Sequence, residues 1–151
     1  GNFYFMHILK AEKQHLHDLI PLFDGYRIFY KQKSDFIGAK KFLNDRLTNN
    51  ESIIYIAYFE ELPAGFIQLY PIFSSVTMQP MFILNDIFVD SSYRKSGIGK
   101  ALIERAQKLC EELDYKGMIL ETQPENLIAQ NIYENCGFEK DPSCHYIWIK
   151  K

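Results

Sequence analysis

Cysteine is scarce in this chain, and its placement argues against two kinds of small protein. Cys110, Cys136 and Cys144 are odd in number and widely spaced, without any Cys-x-x-Cys pair. That spacing predicts neither a disulfide framework nor a zinc site. His15 and His17 are two residues apart on a predicted helix, so their side chains face different ways. We therefore expect no metal and a reducing, cytoplasmic location.

Net charge and long apolar runs are also lacking. The formal charge is −2 over 151 residues, so no overall field favours nucleic acid or an anionic membrane as a partner. No apolar run approaches the roughly 20 residues that a transmembrane helix needs. No secretory leader is recognised, and residues 1–5, ahead of Met6, are expected to be a remnant of expression. The length suits a single domain over residues 1–151.

A basic turn with two glycines stands between a predicted strand, residues 81–89, and a predicted amphipathic helix that begins after Gly97. Backbone N–H groups, the positive end of the helix dipole and the cations Arg94, Lys95 and Lys100 meet in this turn. Such a turn is an anion-binding site, and its spacing indicates which anion.

Two common phosphate loops do not fit the spacing. A Walker loop needs glycine where Arg94 stands and Ser or Thr where Ala101 stands. A dinucleotide fingerprint would use Gly97 and Gly99 but needs a third glycine where Leu102 stands. These mismatches disfavour a nucleotide-binding regulatory domain.

The remaining pattern, Arg94-x-x-Gly97-x-Gly99, resembles the pyrophosphate loop of the GNAT acyl-CoA-dependent N-acetyltransferases. A second stretch, residues 126–138, resembles the second GNAT signature. Its matching residues are Asn126, Ala129, Tyr133, Gly137 and Phe138. The ordered pair of motifs is far more specific than either motif alone, and the resemblance is strong over the C-terminal half of the chain.

The periodicity of apolar residues fits that resemblance. Strands are predicted over residues 4–9, 52–59, 64–70, 81–89, 117–122 and 144–149. Helices are predicted over residues 12–30, where Pro21 should kink or split the helix, after a Ser34-Asp35 cap, after Gly97, and from a Thr122-x-x-Glu125 capping box to Asn135. Residues 71–80 are predicted to be a loop. The order implies an α/β, single-domain GNAT fold, with a mixed, mostly antiparallel sheet of about six to seven strands and about four helices.

The resemblance implies acetyl-CoA as co-substrate. Its pyrophosphate would meet the turn, its pantetheine arm the backbone of the preceding strand, and Asn126 would hold the arm or orient its own helix. The implied cofactor-binding residues are Ile87, Phe88, Val89, Arg94, Lys95, Ser96, Gly97, Ile98, Gly99, Lys100, Asn126 and Tyr133.

The chemistry implied is direct attack by a primary amine on the thioester within a ternary complex. Tyr133 is the family-matched proton donor to the departing thiolate. Asp86 and Glu121, expected at facing positions of neighbouring strands, are the candidate proton acceptors. A covalent route through Cys136 or Cys144 is disfavoured, because neither belongs to a recognisable Cys–His–acid set.

The acceptor is expected to be a small-molecule or peptide amine, with Tyr26 and Tyr30 as an aromatic wall for its ammonium group. GNAT proteins often pair, so a homodimer stays open. The alternative is a GNAT-fold module that binds acyl-CoA as a sensor or scaffold without turnover. The presence of Tyr133 favours the enzyme.

Overall fold

The computed structural model describes residues 5–151. These residues fall into two compact units, a first that ends at Glu121 and a second from Thr122 to Lys151. The first contains the strands β1 (Met6–Lys10), β2 (Ile53–Phe59), β3 (Leu62–Ser74), β4 (Gln79–Val89) and β5 (Met118–Ile119). It also contains the helices α1 (Leu16–Phe29), α2 (Phe36–Thr48) and α3 (Ile98–Leu113). The second contains α4 (Leu127–Asn135).

The strands form one sheet in the order β1-β2-β3-β4-β5. The first four pair antiparallel, and β5 pairs parallel to β4 over two residues. The predicted α/β class, the mixed and mostly antiparallel sheet and the four α-helices are confirmed for the described residues. The predicted six to seven strands are wrong, because the described part of the chain has five. Residues 144–149, predicted as a strand, carry no strand and are largely exposed.

Helices cover both faces of the sheet. On one face α1 and α2 pack on Ile54, Ile56 and Phe66 through Leu19, Leu22, Phe23, Ala39 and Leu43. On the other face lies α3, where the Arg105 guanidinium stands 4.8 Å from the centre of the Tyr55 ring. Its predicted apolar stripe is buried from Ile98 to Leu109, whereas Leu113 is 45% exposed.

A side-chain cap determines where α2 begins, and packing keeps α1 continuous through its proline. The Asp35 carboxylate accepts a hydrogen bond from Gly38 N at 2.9 Å and starts α2, as predicted. Pro21, predicted to kink or split the helix, does not split it: α1 runs through Pro21 as one helix, with Leu19, Leu22 and Phe23 buried around it. The proline removes one N–H donor, and the buried face holds the helix together.

The hairpin of β3 and β4 is longer than predicted, since part of residues 71–80 lies in strands. The two prolines of this extension, Pro71 and Pro80, lose no hydrogen bond between these strands. Phe82 N donates to Gly117 O, so Phe82 and its partner Pro71 turn their backbone groups away from each other. Pro80 likewise faces β5, and its carbonyl accepts from Lys116 N at 3.0 Å. No described helix is long and apolar enough to cross a membrane.

Candidate functional site

Near the carboxyl end of β4, no strand of the described residues pairs with the side that β5 occupies earlier in the strand. Its pairing with β5 stops at Ile83, opposite Ile119. On the other side, Asp90 N donates to Ala64 O at 2.8 Å. Because backbone groups alternate in direction along a strand, the N–H and C=O groups of Asp90, Phe88 and Asp86 point toward β3. The backbone groups of Ile87 and Val89 therefore face the β5 side, where the first unit provides no strand partner for them. We call this side of residues 84–89 the open edge.

A β-bulge at Asn85 produces that arrangement. Gln68 pairs with Asp86, but the next residue of β3, Leu69, pairs with Leu84, so Asn85 is an extra residue in β4. The extra residue reverses the alternation of backbone groups. Before the bulge, the even-numbered Phe82 points its N–H toward the β5 side, whereas beyond the bulge the odd-numbered residues Ile87 and Val89 point that way. The Tyr26 hydroxyl of α1 donates to the Asn85 carbonyl at 3.2 Å.

The turn after β4 is held by its own short contacts. The Asp90 carboxylate accepts from Ser92 N at 3.1 Å and caps a 3-10 turn, Ser91–Tyr93. Arg94 Nε donates to the Val89 carbonyl at 3.3 Å, which ties the turn to the open edge. The Ser96 hydroxyl donates to the Tyr93 carbonyl. Lys95 adopts a left-handed backbone with φ +67°.

The amino end of α3 is shaped to approach an anion closely. Gly97 is its N-cap at φ +85°, a conformation that favours glycine, and a Cβ there would meet nothing within 4 Å. A Cβ on Gly99 would meet only Val89 Cγ2, at 3.8 Å. The first helical N–H groups, from Ile98 to Lys100, have no acceptor within the helix. The Ile98 side chain is buried, so this residue can offer only its backbone.

The cations of the turn differ in their surroundings. Lys100 Nζ lies 3.8 Å from Glu104, in an exposed ion pair that partly offsets its charge. Arg94 and Lys95 are exposed at the turn itself. Their charges add to the positive end of the helix dipole, which is worth about 0.3–1 kcal/mol for an exposed anion. The turn therefore combines cations, N–H donors and glycine backbone beside the open edge.

Asp86 lies at the bulge but is only 2% exposed. Its Oδ2 accepts from Gln68 Nε2 and its Oδ1 from Asn85 Nδ2, both at 2.6 Å. Burial raises the pKa of this carboxyl above its ordinary value, and the two amide hydrogen bonds oppose the rise. Nearby, burial and the charge of Asp86 raise the pKa of Tyr70 to about 12. With each oxygen already accepting a hydrogen bond, Asp86 is poorly disposed to take a proton directly from an amine.

Glu121 was expected to end the strand beside β4, opposite Asp86. This expectation is wrong in its geometry, since β5 ends two residues earlier, at Ile119. The bulge at Asn85 lies two residues beyond Ile83, the last residue of β4 that pairs with β5, and a bulge interrupts regular strand geometry. Glu121 is exposed at the end of the first unit.

The two candidate acceptor-binding tyrosines lie together at the end of α1, Tyr26 in its last turn and Tyr30 as its C-cap. Their ring centres are 5.1 Å apart, and the Tyr26 ring also meets Phe66 edge-on at 6.0 Å. Tyr30 is 50% exposed, whereas Tyr26 is partly buried and reaches the bulge through its hydroxyl. An aromatic surface thus extends from the bulge to solvent.

The second unit contains the other signature. Asn126 is the N-cap of α4, and its Oδ1 accepts from Ala129 N at 3.1 Å. The predicted capping box from Thr122 to Glu125 is therefore wrong, and the helix is capped four residues later, at Asn126. Tyr133 packs on Phe138 with ring centres 5.8 Å apart, and its carbonyl accepts from Phe138 N at 3.0 Å. Gly137, at φ +92°, follows the end of the helix, as predicted.

Sequence reasoning missed the residues that surround Asp86. Gln68 is completely buried, and its Oε1 accepts from the Ser52 hydroxyl at 2.7 Å. The available signal was a polar residue inside an apolar strand, Gln68 between Ile67 and Leu69. Among the described residues, no group of three or more His, Cys, Asp or Glu side chains is placed to hold a metal ion.

Comparison with known proteins identifies relatives over almost the whole chain. The sequence profile of the Acetyltransferase (GNAT) family matches residues 16–138. An uncharacterized N-acetyltransferase, YhfO, of Bacillus subtilis (strain 168) is 42% identical over 142 residues, which are 93% of this chain and 95% of YhfO.

Solved structures agree with that similarity. A crystal structure of a probable acetyltransferase matches with a TM-score of 0.91 at 36% identity, covering 96% of this chain and 99% of the other. An aminoglycoside N-acetyltransferase in complex with CoA matches with a TM-score of 0.80 at 24% identity, covering 99% of this chain and 97% of the other. The second match shows a shared fold.

Proposed function

This chain belongs to the acetyltransferase (GNAT) family, and from that premise we propose that it transfers an acetyl group from acetyl-CoA to a primary amine. One observation carries the proposal: the open edge of β4 leads directly into a cationic, glycine-bearing turn at the amino end of α3. A long ligand with amides along one part and a diphosphate at its end fits that sequence of features. Acetyl-CoA is such a ligand, and a relative of the same fold was solved in complex with CoA.

The binding roles follow from the chemistry of each part. The diphosphate would accept hydrogen bonds from N–H groups between Lys95 and Lys100, with Arg94 and Lys95 adding positive charge. The pantetheine amides would pair with the backbone of Ile87 and Val89, whose polar groups face the open edge. The backbone groups of Phe88 point toward β3, so Phe88 would support the edge by packing. Its ring lies against Gly25 of α1, so close that a Cβ on Gly25 would meet the ring.

In the reaction, the amine nitrogen attacks the thioester carbon, the C–S bond breaks, and the departing thiolate takes a proton. The attacking amine must also lose a proton, since an amine of pKa about 10.4 is almost wholly charged at pH 7. We assign the donor role to Tyr133, on the family motif, and the acceptor role to the exposed Glu121. Tyr26 and Tyr30 would receive the ammonium group of the acceptor before it loses that proton.

The alternative is an acyl-CoA-binding module without turnover. The observation in its favour is Asp86, whose two carboxylate oxygens are already engaged. Release of free thiol from acetyl-CoA separates the two proposals. It should be measured with polyamines, amino acids, aminoglycosides and lysine peptides as acceptors. Thiol release with any of these amines rejects the module.

Binding of the cofactor is tested at Gly99. In Gly99→Glu a carboxylate stands where the diphosphate is proposed to bind. Like charges about 5 Å apart near a protein surface cost about 3 kcal/mol, so calorimetry should show CoA affinity lowered by about 100-fold. Gly99→Ala is the matched control, since its Cβ would make only an ordinary contact with Val89. Unchanged affinity in a folded Gly99→Glu protein would remove the turn from the site.

A further inference from the structure

A chain of hydrogen bonds, centred on the buried contact between Gln68 and Asp86, links β3 and β4 at the bulge. The Ser52 hydroxyl donates to Gln68 Oε1, and Gln68 Nε2 donates to Asp86 Oδ2. Asn85 Nδ2 donates to Asp86 Oδ1 from the other side, and Tyr26 donates to the Asn85 carbonyl. We propose that Gln68, oriented by Ser52, is a positioning residue of the acetyl transfer: through Asp86 it fixes the bulge at Asn85. This inference rests on the proposed function.

The network is costly unless it has such a role. Gln68 and Asp86 are 0% and 2% exposed, opposite each other in the middle of the sheet. Burying polar and charged groups there costs several kcal/mol before their mutual hydrogen bonds are counted, and an apolar pair would stabilise a sheet at least as well. What the polar pair adds is position, because hydrogen bonds fix which residue of β4 lies opposite Gln68.

That position decides what the open edge presents. With the extra residue at Asn85, the backbone groups of Ile87 and Val89 face the edge. A slip of the pairing by one residue would turn these groups toward β3 and present Asp86 and Phe88 instead. The amides of a pantetheine arm would then pair with other residues, and the thioester would be displaced along the strand.

The Gln68–Asp86 contact offers an exchange test. In the double variant Gln68→Glu/Asp86→Asn, the carboxylate moves to β3 and the amide to β4. Ser52 can still donate to the glutamate, the new asparagine can donate to that glutamate, and Asn85 can donate to the new asparagine oxygen. Every hydrogen bond of the network is kept, while position 86 no longer holds a carboxylate.

Gln68→Glu alone should be sensitive to pH. It places two buried carboxyls 2.6 Å apart, which can stay together only by sharing a proton. Loss of that proton as pH rises drives the strands apart at the bulge. Turnover should therefore fall at least tenfold between pH 6 and pH 9 relative to wild type, and CoA affinity should fall with it. The other groups nearby are Tyr70 from β3 and Tyr26 from α1, and Tyr70 is in turn influenced by Arg46 of α2 and by Glu51, which follows that helix.

The double variant is expected to lose this pH sensitivity and to recover CoA affinity and turnover to within about tenfold of wild type. If it stays 10²–10⁴-fold slower with CoA affinity restored, Asp86 is the proton acceptor and the inference is overturned. A Gln68→Glu protein that matches wild type across the pH range also overturns it. If wild type binds CoA without turning over any amine, the enzymatic proposal fails, and the same comparison of affinities still tests the network. Thermal unfolding of each variant checks that it folds.

Discussion

Tyr133 is the single residue with the most direct chemical test. Tyr133→Phe removes only the hydroxyl proposed to protonate the thiolate, and it keeps the ring that packs on Phe138. Turnover should fall by about 100-fold, a common contribution of a positioned acid, while the affinity for acetyl-CoA stays within about twofold of wild type. Steady-state kinetics and calorimetry measure the two quantities separately.

A Tyr133→Phe protein with wild-type turnover would assign Tyr133 a packing role alone. Phe138→Leu is the control for that packing, because it weakens the aromatic contact and leaves the hydroxyl in place. A loss of turnover in Tyr133→Phe but not in Phe138→Leu would show that turnover depends on the Tyr133 hydroxyl and not on the packing of its ring.

At this scale the sequence was informative about backbone and poor about burial. The position of Gly97 between a strand and a helix predicts a special backbone there, and the structure shows Gly97 as an N-cap at φ +85°. The place of Asp86 beside the expected oxyanion makes it a predicted proton acceptor. Its engagement by Gln68, which lies 18 residues earlier, depends on strand pairing. No local pattern encodes such a contact.

Among the elements, α2 depends on a small acidic cluster. Asp24 is 3% exposed and accepts from the Ser34 hydroxyl and from Asp35 N, at 2.8 and 2.7 Å. Asp35 in turn caps α2. One buried carboxylate therefore shapes the loop between α1 and α2, directly after the aromatic surface of Tyr26 and Tyr30.

Removing the cap should weaken the protein measurably. Asp35→Ala deletes the acceptor for Gly38 N and should lower the free energy of unfolding by about 1 kcal/mol. Asp35→Asn keeps an acceptor at that position and should lie within a few tenths of wild type. Denaturant titrations compare the three proteins, and equal midpoints for Ala and Asn would mean that the cap contributes nothing.

Element positions followed from periodicity, whereas element lengths did not. The Ser34-Asp35 cap and the stripe on α3 were readable because caps and apolar spacing are local signals. The extension of β3 and β4 to include Pro71 and Pro80 could not be predicted in this way. A proline lacks only the N–H donor on one side of its strand, so it can still belong to a strand when that side has no partner strand. Residues 144–149 have the composition of a strand, yet a strand needs a partner, and none forms within residues 122–151.

For the molecule as a whole, Asp86 links stability to pH. Its pKa is raised in the folded protein, so between the ordinary value of 3.8 and the raised value the folded state holds more protons than the unfolded state. Stability then falls as pH rises through that window. In Asp86→Asn this contribution is absent.

The difference in unfolding free energy, wild type minus Asp86→Asn, should therefore decrease as pH is raised upward from about 4. Urea titrations at a series of pH values measure it. A difference that increases over that range would mean that the two amide donors outweigh burial and hold the carboxyl ionised.

The long arm formed by β3 and β4 has a consequence for aggregation of this protein. Pro71 lies beyond the reach of β2, and its backbone faces outward. Since it has no N–H, the outer border of the arm lacks a donor where a foreign strand would begin to pair. The tip of the arm exposes Phe73, Val76 and Met78 by at least four-fifths, and such an apolar surface favours aggregation. Pro71 opposes it, because it disfavours the edge-to-edge strand pairing through which copies would form amyloid-like stacks.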